Sequence, residues 1–169
     1  VLESLIKEVN KEKLSLAELS EEERDALADR LVDEISADYG NTILKSSARN
    51  EYMIQRTKRM VRRTVWAIQK QLKSGEFEPE GVEVVFQGGR IDRVDTMETD
   101  DGKLYVRVID YKTGNTSFDL VSLYHGLQLQ LMIYMDGALT VEQNKHKDKD
   151  VIPAGVFYYN IKDPMIQEK

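Results

Sequence analysis

Asp110 and Lys112 stand two residues apart in Ile109-Asp110-Tyr111-Lys112-Thr113-Gly114. In a β-strand, residues two apart project from the same face. An acid and a cation therefore leave the end of an apolar strand together, beside a glycine-containing turn. Such a pair can be a plain surface ion pair, worth only about 0–1 kcal/mol. It can also be half of a phosphodiester-cleaving site. That chemistry needs carboxylate oxygens to hold a hard cation. The cation lowers the pKa of a bound water and offsets charge developing on the phosphate. A neighbouring lysine orients or activates the water and supports the phosphorane charge.

One carboxylate makes a poor Mg²⁺ site, so a second is expected nearby. Gly89-Arg90-Ile91-Asp92-Arg93-Val94-Asp95 supplies two candidates. They have opposite strand parity, so a regular strand cannot aim both at one place. Asp92 is the choice. If the chain turns at Asp100-Asp101-Gly102, Asp92 and Asp110 both lie several residues from the turn and can meet across the sheet. Asp95 is left as a turn or salt-bridge residue.

The elements around these residues follow from pattern. Leu2, Leu5, Ile6 and Val9 recur at helical spacing. Ser20-Glu21-Glu22-Glu23 is a capping box opening a helix that carries Leu27, Leu31 and Ile35 and ends near Gly40. A third helix is predicted from about Asn50 to Lys73, ended by Gly75. Strands are predicted at 82–86, 90–96, 104–112 and 152–161, and a helix at 120–139. Lys145 to Asp150 reads as a charged loop. The order predicts one α/β domain over 1–169, with a helical part at 1–75 and a catalytic core at 76–169 in which a central mixed sheet is flanked by helices.

The net charge is −6. Residues 49–73 nevertheless hold eight basic side chains against one acid, Glu51, so that stretch is +7 and the remainder −13. Within it, Arg56, Arg59, Arg62 and Arg63 are candidate phosphate contacts; the competing reading is a solvated helix face. There are no cysteines, hence no disulfides or thiolate metal sites, which fits a reducing cytoplasm. No apolar run reaches the roughly 20 residues that span a bilayer. There is no P-loop sequence for nucleotide. The first residues already read as helix, so the chain is expected to be a piece of something larger.

Three strings in order, Gly-Arg-Ile-Asp at 89–92, Asp-Tyr-Lys at 110–112 and Gln130-Leu-Met-Ile-Tyr134, resemble the RecB-like branch of the PD-(D/E)XK nucleases. Longer strings, Gly-Arg-Ile-Asp-Arg-Val-Asp, Ile-Asp-Tyr-Lys-Thr-Gly, the run from Tyr124 to Leu131 and Pro153-Ala154-Gly155-Val156, look like the C-terminal nuclease domain of the AddB family of bacterial helicase–nucleases. The resemblance is close over 77–164 and weak over the N-terminal helices. It implies a restriction-endonuclease-like fold and Mg²⁺- or Mn²⁺-dependent hydrolysis of DNA. It implies work on single-stranded ends fed by a helicase/nuclease partner, the AddA component of an AddAB-type complex, in double-strand break repair in a bacterial cytoplasm.

By that resemblance Asp92, Asp110 and the Tyr111 backbone carbonyl would ligate metal, and Lys112 would be catalytic. Gln130 and Tyr134, four apart on one helical face, would contact the DNA backbone or order the site. Glu83 lies where such nucleases often place an acid. His125 is a further candidate ligand or DNA contact, against a structural role beside Gly126. Three features depart from the family pattern. The family's metal-ligating histidine precedes a Leu-Glu like Leu2-Glu3, and neither His125 nor His146 matches it. The cysteines that hold an iron–sulfur cluster in AddB proteins are absent from this chain. Phe86-Gln87-Gly88-Gly89 joins two strands more tightly than usual. The expectation is a nuclease core with weakened metal binding, and the alternative is a nuclease-like DNA-binding or scaffold domain, inactive as an isolated piece.

Overall fold

The computed structural model describes residues 1–12, 14–40, 47–114, 116–126 and 128–161. Backbone contacts gather the chain into two units that meet in sequence at Gly75 and Glu76.

The first unit is helical: α1 (Leu2–Lys11), α2 (Glu21–Gly40) and α3 (Ala48–Lys73). The capping box forms as its sequence demands. The Ser20 amide donates to Glu23 Oε2 at 2.9 Å and the Glu23 amide donates to Ser20 Oγ at 3.2 Å. Leu5, Ile6 and Val9 of α1 are buried, as are Ala28, Leu31 and Val32 of α2 and Val61, Val65, Ile68 and Leu72 of α3. Gln69 is a buried polar residue with every demand met. Its amide donates to the Leu16 and Leu19 carbonyls and its oxygen accepts from Arg24. Trp66 of α3 is exposed, with Lys70 Nζ 4.5 Å from its ring centroid.

The second unit is a four-stranded sheet with two helices. Its strands are β1 (Glu78–Phe86), β2 (Gly89–Glu98), β3 (Lys103–Lys112) and β4 (Asp150–Asn160), in the order β1-β2-β3-β4. The first three form an antiparallel meander, and β4 runs parallel to β3. A parallel partner requires a crossover, here α4 (Leu120–Tyr124) and α5 (Gln130–Lys145). The tight join at 86–89 is a two-residue hairpin closed by the Phe86–Gly89 pair, with Gly89 at φ +141°.

The single helix expected at 120–139 is two helices. Asp119 caps α4 through the amides of Val121 and Ser122, and the helix stops at His125, followed by Gly126 at φ +76°. The second helix extends through Lys145, six residues past the expected end. It covers one sheet face, where Ile91, Val94, Val106, Val108, Met135 and Ala138 form the core. Gly137 permits the approach, since a Cβ there would lie 2.4 Å from the Phe86 ring.

In the helical unit Arg62 donates to both carboxylate oxygens of Asp29, from Nε at 2.6 Å and from Nη2. This holds the Asp29 carboxyl below the ordinary aspartate value; burial opposes the shift, and Lys58 adds to it. A depressed acid contributes stability above its unfolded pKa and loses it as pH falls through the folded value. Asp29→Asn should therefore cost up to about 1 kcal/mol at neutral pH, because the pair is partly solvated. The gap from wild type should close once acidification protonates Asp29. Urea titrations across the acid range would measure it.

Candidate active site

The β2–β3 ladder pairs Arg93 with Ile109, Val94 with Val108 and Asp95 with Arg107. One step beyond its last pair stand Asp92 and Asp110. There the backbone pairing stops, and the Tyr111 amide donates to Asp92 Oδ2 at 2.8 Å. A side chain has taken the place of a ladder carbonyl. Ile91 and Val94, of opposite parity, both enter the core cluster, so the strand's alternation breaks between them, around Asp92.

Asp110 shares its parity with Val106 and Val108 and is only 3% exposed. Its Oδ2 lies 2.6 Å from Lys112 Nζ but outside hydrogen-bonding geometry, and is a buried oxygen with no hydrogen-bond partner. Lys112 Nζ donates to Gln130 Oε1 at 3.3 Å, and Gln130 Nε2 donates to Tyr134 Oη at 2.9 Å. Tyr134 packs edge-on to Phe86, with ring centroids 5.9 Å apart. Asp110, Lys112, Gln130 and Tyr134 thus form one polar chain from strand to helix.

The electrostatics fit a place for positive charge. Burial pushes the Asp92 pKa up, and the Asp110 carboxylate adds to the rise, against the Tyr111 amide, Lys112 and Arg90. Lys112 is held above the ordinary lysine value by Asp110, with burial opposing, so it is an ammonium at neutral pH. The Tyr111 amide faces β2. Because the N–H and C=O of one strand residue leave on the same side, the Tyr111 carbonyl is directed that way too. The Lys112 carbonyl faces β4 and accepts from the Ile161 amide at 2.8 Å. Two adjacent carboxylates drawn out of solvent could serve as the oxygen donors of a hard divalent cation. Among the described residues no group of three or more His, Asp or Glu ligand atoms within 4.8 Å of one another includes Asp92 and Asp110.

The other sequence candidates are placed differently. Glu83 lies between the pairs Val82–Arg93 and Val84–Ile91, level with Asp92. It has φ +50°, a strained conformation for a non-glycine residue, and its carboxylate pairs with Arg90 at 3.1 Å. His125 is exposed at the end of α4, and its ring contact is Tyr124, at 5.3 Å. Arg62 is committed to Asp29, whereas Arg63 is exposed and Arg59 lies 6.0 Å from the Tyr52 ring centroid. Sequence reasoning gave no part in the site to Arg90, whose charge reaches Asp92, or to Tyr158, whose ring centroid is 5.5 Å from Lys112 Nζ. Arg90 is adjacent to the motif, which was the available signal. Tyr158 needed the parallel register that sets it beside Asp110.

Asp95 is on the opposite face. Arg93 Nε donates to its Oδ1 at 2.5 Å, Arg93 Nη2 to its Oδ2 at 2.7 Å, and Arg107 Nη2 to Oδ2 at 2.5 Å. Both Arg93 and Asp95 are fully buried. Burial works to lower the Arg93 pKa, but Asp95 and the Tyr111 oxygen together more than offset it. Arg93 Nη1 also donates to the Tyr111 hydroxyl at 3.3 Å. This network thus grips the residue between Asp110 and Lys112 from behind.

The site is thus a carboxylate pair with an adjacent lysine on an α/β sheet, and comparison gives the chain's family. The chain matches the PD-(D/E)XK nuclease superfamily over residues 1–169 and belongs to it. Among curated proteins it is 44% identical to the B-type subunit of the ATP-dependent helicase/deoxyribonuclease of Lachnoclostridium phytofermentans, over 98% of this chain and 15% of that protein. Proteins of the same name from Alkaliphilus metalliredigens and Clostridium tetani are 36% and 34% identical, over 98% and 100% of this chain and 16% of each protein. The chain therefore spans less than a fifth of the length of these relatives.

Asp95→Asn should leave Arg93 buried without its counter-charge. Breaking such a pair costs about 3–5 kcal/mol, well above the Asp29→Asn effect. Urea unfolding followed by circular dichroism would measure it.

Proposed function

We propose that this chain is a metal-dependent deoxyribonuclease domain that hydrolyses DNA phosphodiester bonds, working within a helicase–nuclease on single-stranded ends. The observation that carries the reading is the buried Asp110 carboxylate beside the raised-pKa Asp92, with the Lys112 ammonium 2.6 Å from Asp110 Oδ2. Asp92, Asp110 and the Tyr111 carbonyl would hold Mg²⁺ or Mn²⁺. When bound, that ion supplies Lewis-acid chemistry, acidifying water and offsetting phosphate charge. Lys112, held protonated, acts as a donor: it orients the attacking water and supports the charge that develops on the phosphate. Gln130 takes one of the ammonium's hydrogen bonds and fixes its direction, while Tyr134 fixes Gln130. Arg90 and the α3 residues Arg56, Arg59 and Arg63 are suited to phosphate contacts, which would make binding salt-dependent. The names of the helicase/deoxyribonuclease relatives support DNA as substrate and a companion chain of the AddA type as partner. Break repair in the cytoplasm is the role that fits such a complex.

The test is cleavage of labelled single-stranded DNA with Mg²⁺ or Mn²⁺, in this chain and in the full-length protein joined to its partner. Lys112→Ala should lower the turnover rate about 10²–10³-fold, as loss of a preorganised donor to developing charge does. Asp110→Ala should abolish cleavage. Gln130→Ala should cost less than Lys112→Ala, because it acts through the lysine. Cutting that survives Asp110→Ala, or an inert complete complex, would refute the enzyme reading. Salt-dependent DNA binding without cutting would make the domain a binding module.

A further inference from the structure

A second constellation of ligating atoms lies at the other end of α5. Glu142 and His146 are four residues apart, hence on one helical face, and Glu80 reaches the same place from β1. One ligand atom of each lies within 4.8 Å of the others. Glu80 is there because of a β-bulge: the β1–β2 register slips between Pro79 and Gly81, and Glu80 is the extra residue. Bulges re-aim side chains in this way.

The independent observation is Glu142. This glutamate is 0% exposed on the covered side of a helix, where an unpaired charge is costly. Its Oε1 accepts from Lys145 Nζ at 2.8 Å. Its Oε2 has no hydrogen-bond partner. His146 Nε2 lies 3.6 Å from it, too long for a hydrogen bond. Lys145 Nζ also lies 3.5 Å from Glu80 Oε1. A buried carboxylate therefore aims a free oxygen at an imidazole nitrogen, with a second carboxylate alongside.

We propose that Glu80, Glu142 and His146 form a binding site for a borderline divalent cation of the zinc type, separate from the Asp92–Asp110 centre. Imidazole with carboxylates suits zinc better than magnesium. Three protein ligands and a water complete its tetrahedron. Around zinc, ligand atoms sit about 3.4 Å apart, given bonds of about 2.1 Å. The Glu142–His146 separation already matches this, and the half-exposed Glu80 side chain has only to close in. Lys145 stays on Glu142 Oε1 and orients the carboxylate from outside. The bound ion would clip the edge strand β1 to the C-terminal end of α5. Gln130, at the helix's opposite end, is twelve residues or about 18 Å from Glu142, so the two sites do not share ligands.

The proposal does not rest on the nuclease reading, and its test keeps the two apart. Zinc chloride alone is titrated calorimetrically into the Asp92→Asn/Asp110→Asn chain, then into that chain carrying His146→Ala or Glu80→Gln. One zinc per chain is expected in the first. At least about tenfold weaker binding is expected in each of the others, as loss of a ligand should cost no less than loss of an outer-sphere partner. Zinc should also raise the unfolding temperature and shift the His146 ring nitrogen resonance, and magnesium should do neither. Absence of zinc binding in the Asp92/Asp110 variant would overturn the site. So would affinity unchanged within twofold by His146→Ala in a chain whose circular dichroism matches the parent.

Discussion

The hydrogen bond from the Tyr111 amide to the Asp92 carboxylate is the contact on which the candidate centre depends. A regular antiparallel ladder would have committed that amide to a backbone carbonyl of β2. Because the β2–β3 pairing ends at Arg93 and Ile109, the amide is left for a side chain. Asp92 is drawn to the rim of β3, level with Asp110. The same irregularity lets Ile91 enter the core cluster with Val94, and it faces Glu83, the one described non-glycine residue with positive φ. Backbone distortion on two neighbouring strands thus concentrates where the carboxylates converge.

That open ladder is braced on the other face. Arg93, Asp95 and Arg107 form a network with no solvent access to its first two members, and Tyr111 joins it through its hydroxyl. One residue thus links both faces: the Tyr111 backbone serves Asp92, and its ring is held by Arg93 and stacked edge-on against Tyr159 at 5.6 Å. A one-residue slip of β2 would put Ile91 or Arg93 in the place of Asp92, and Arg93 or Asp95 in the place of Val94 among the core valines. The buried ion pairs therefore specify register, which the apolar residues alone would specify less strictly.

How far this was legible in the sequence follows from which interactions are local. Strand parity separated Asp92 from Asp95, because alternation is a property of one strand. The hairpin at 100–102 set Asp92 opposite Asp110, because antiparallel pairing follows from the turn. Helix α5 was foreseen as the carrier of Gln130 and Tyr134, but the break at His125 and Gly126 was not, since apolar residues continue through it and a single glycine is a weak stop. Arg93 showed only a charge beside a motif, and its burial depends on Asp95 and on Arg107, twelve residues further on. Glu80, Glu142 and His146 had no sequence signature, because a bulge and a crossover bring them together.

Charge balance ties the centre's residues to one another. Asp92, Asp110 and Lys112 sum to −1, and burial makes that excess costly, as the raised Asp92 pKa records. Lys112 cannot neutralise both acids; it sits against Asp110 and already shares its protons with Gln130. Protonating Asp92 would relieve the excess but leave it a poor ligand. A divalent cation would relieve it by turning −1 into +1, and a phosphodiester, itself −1, would then complete a neutral set. Lys112 has to remain charged for this sum to close, and Asp110 provides for that by holding the ammonium above its ordinary pKa. The lysine is therefore bound into the arrangement as a fixed positive charge, directed by Gln130, rather than as a base awaiting a proton.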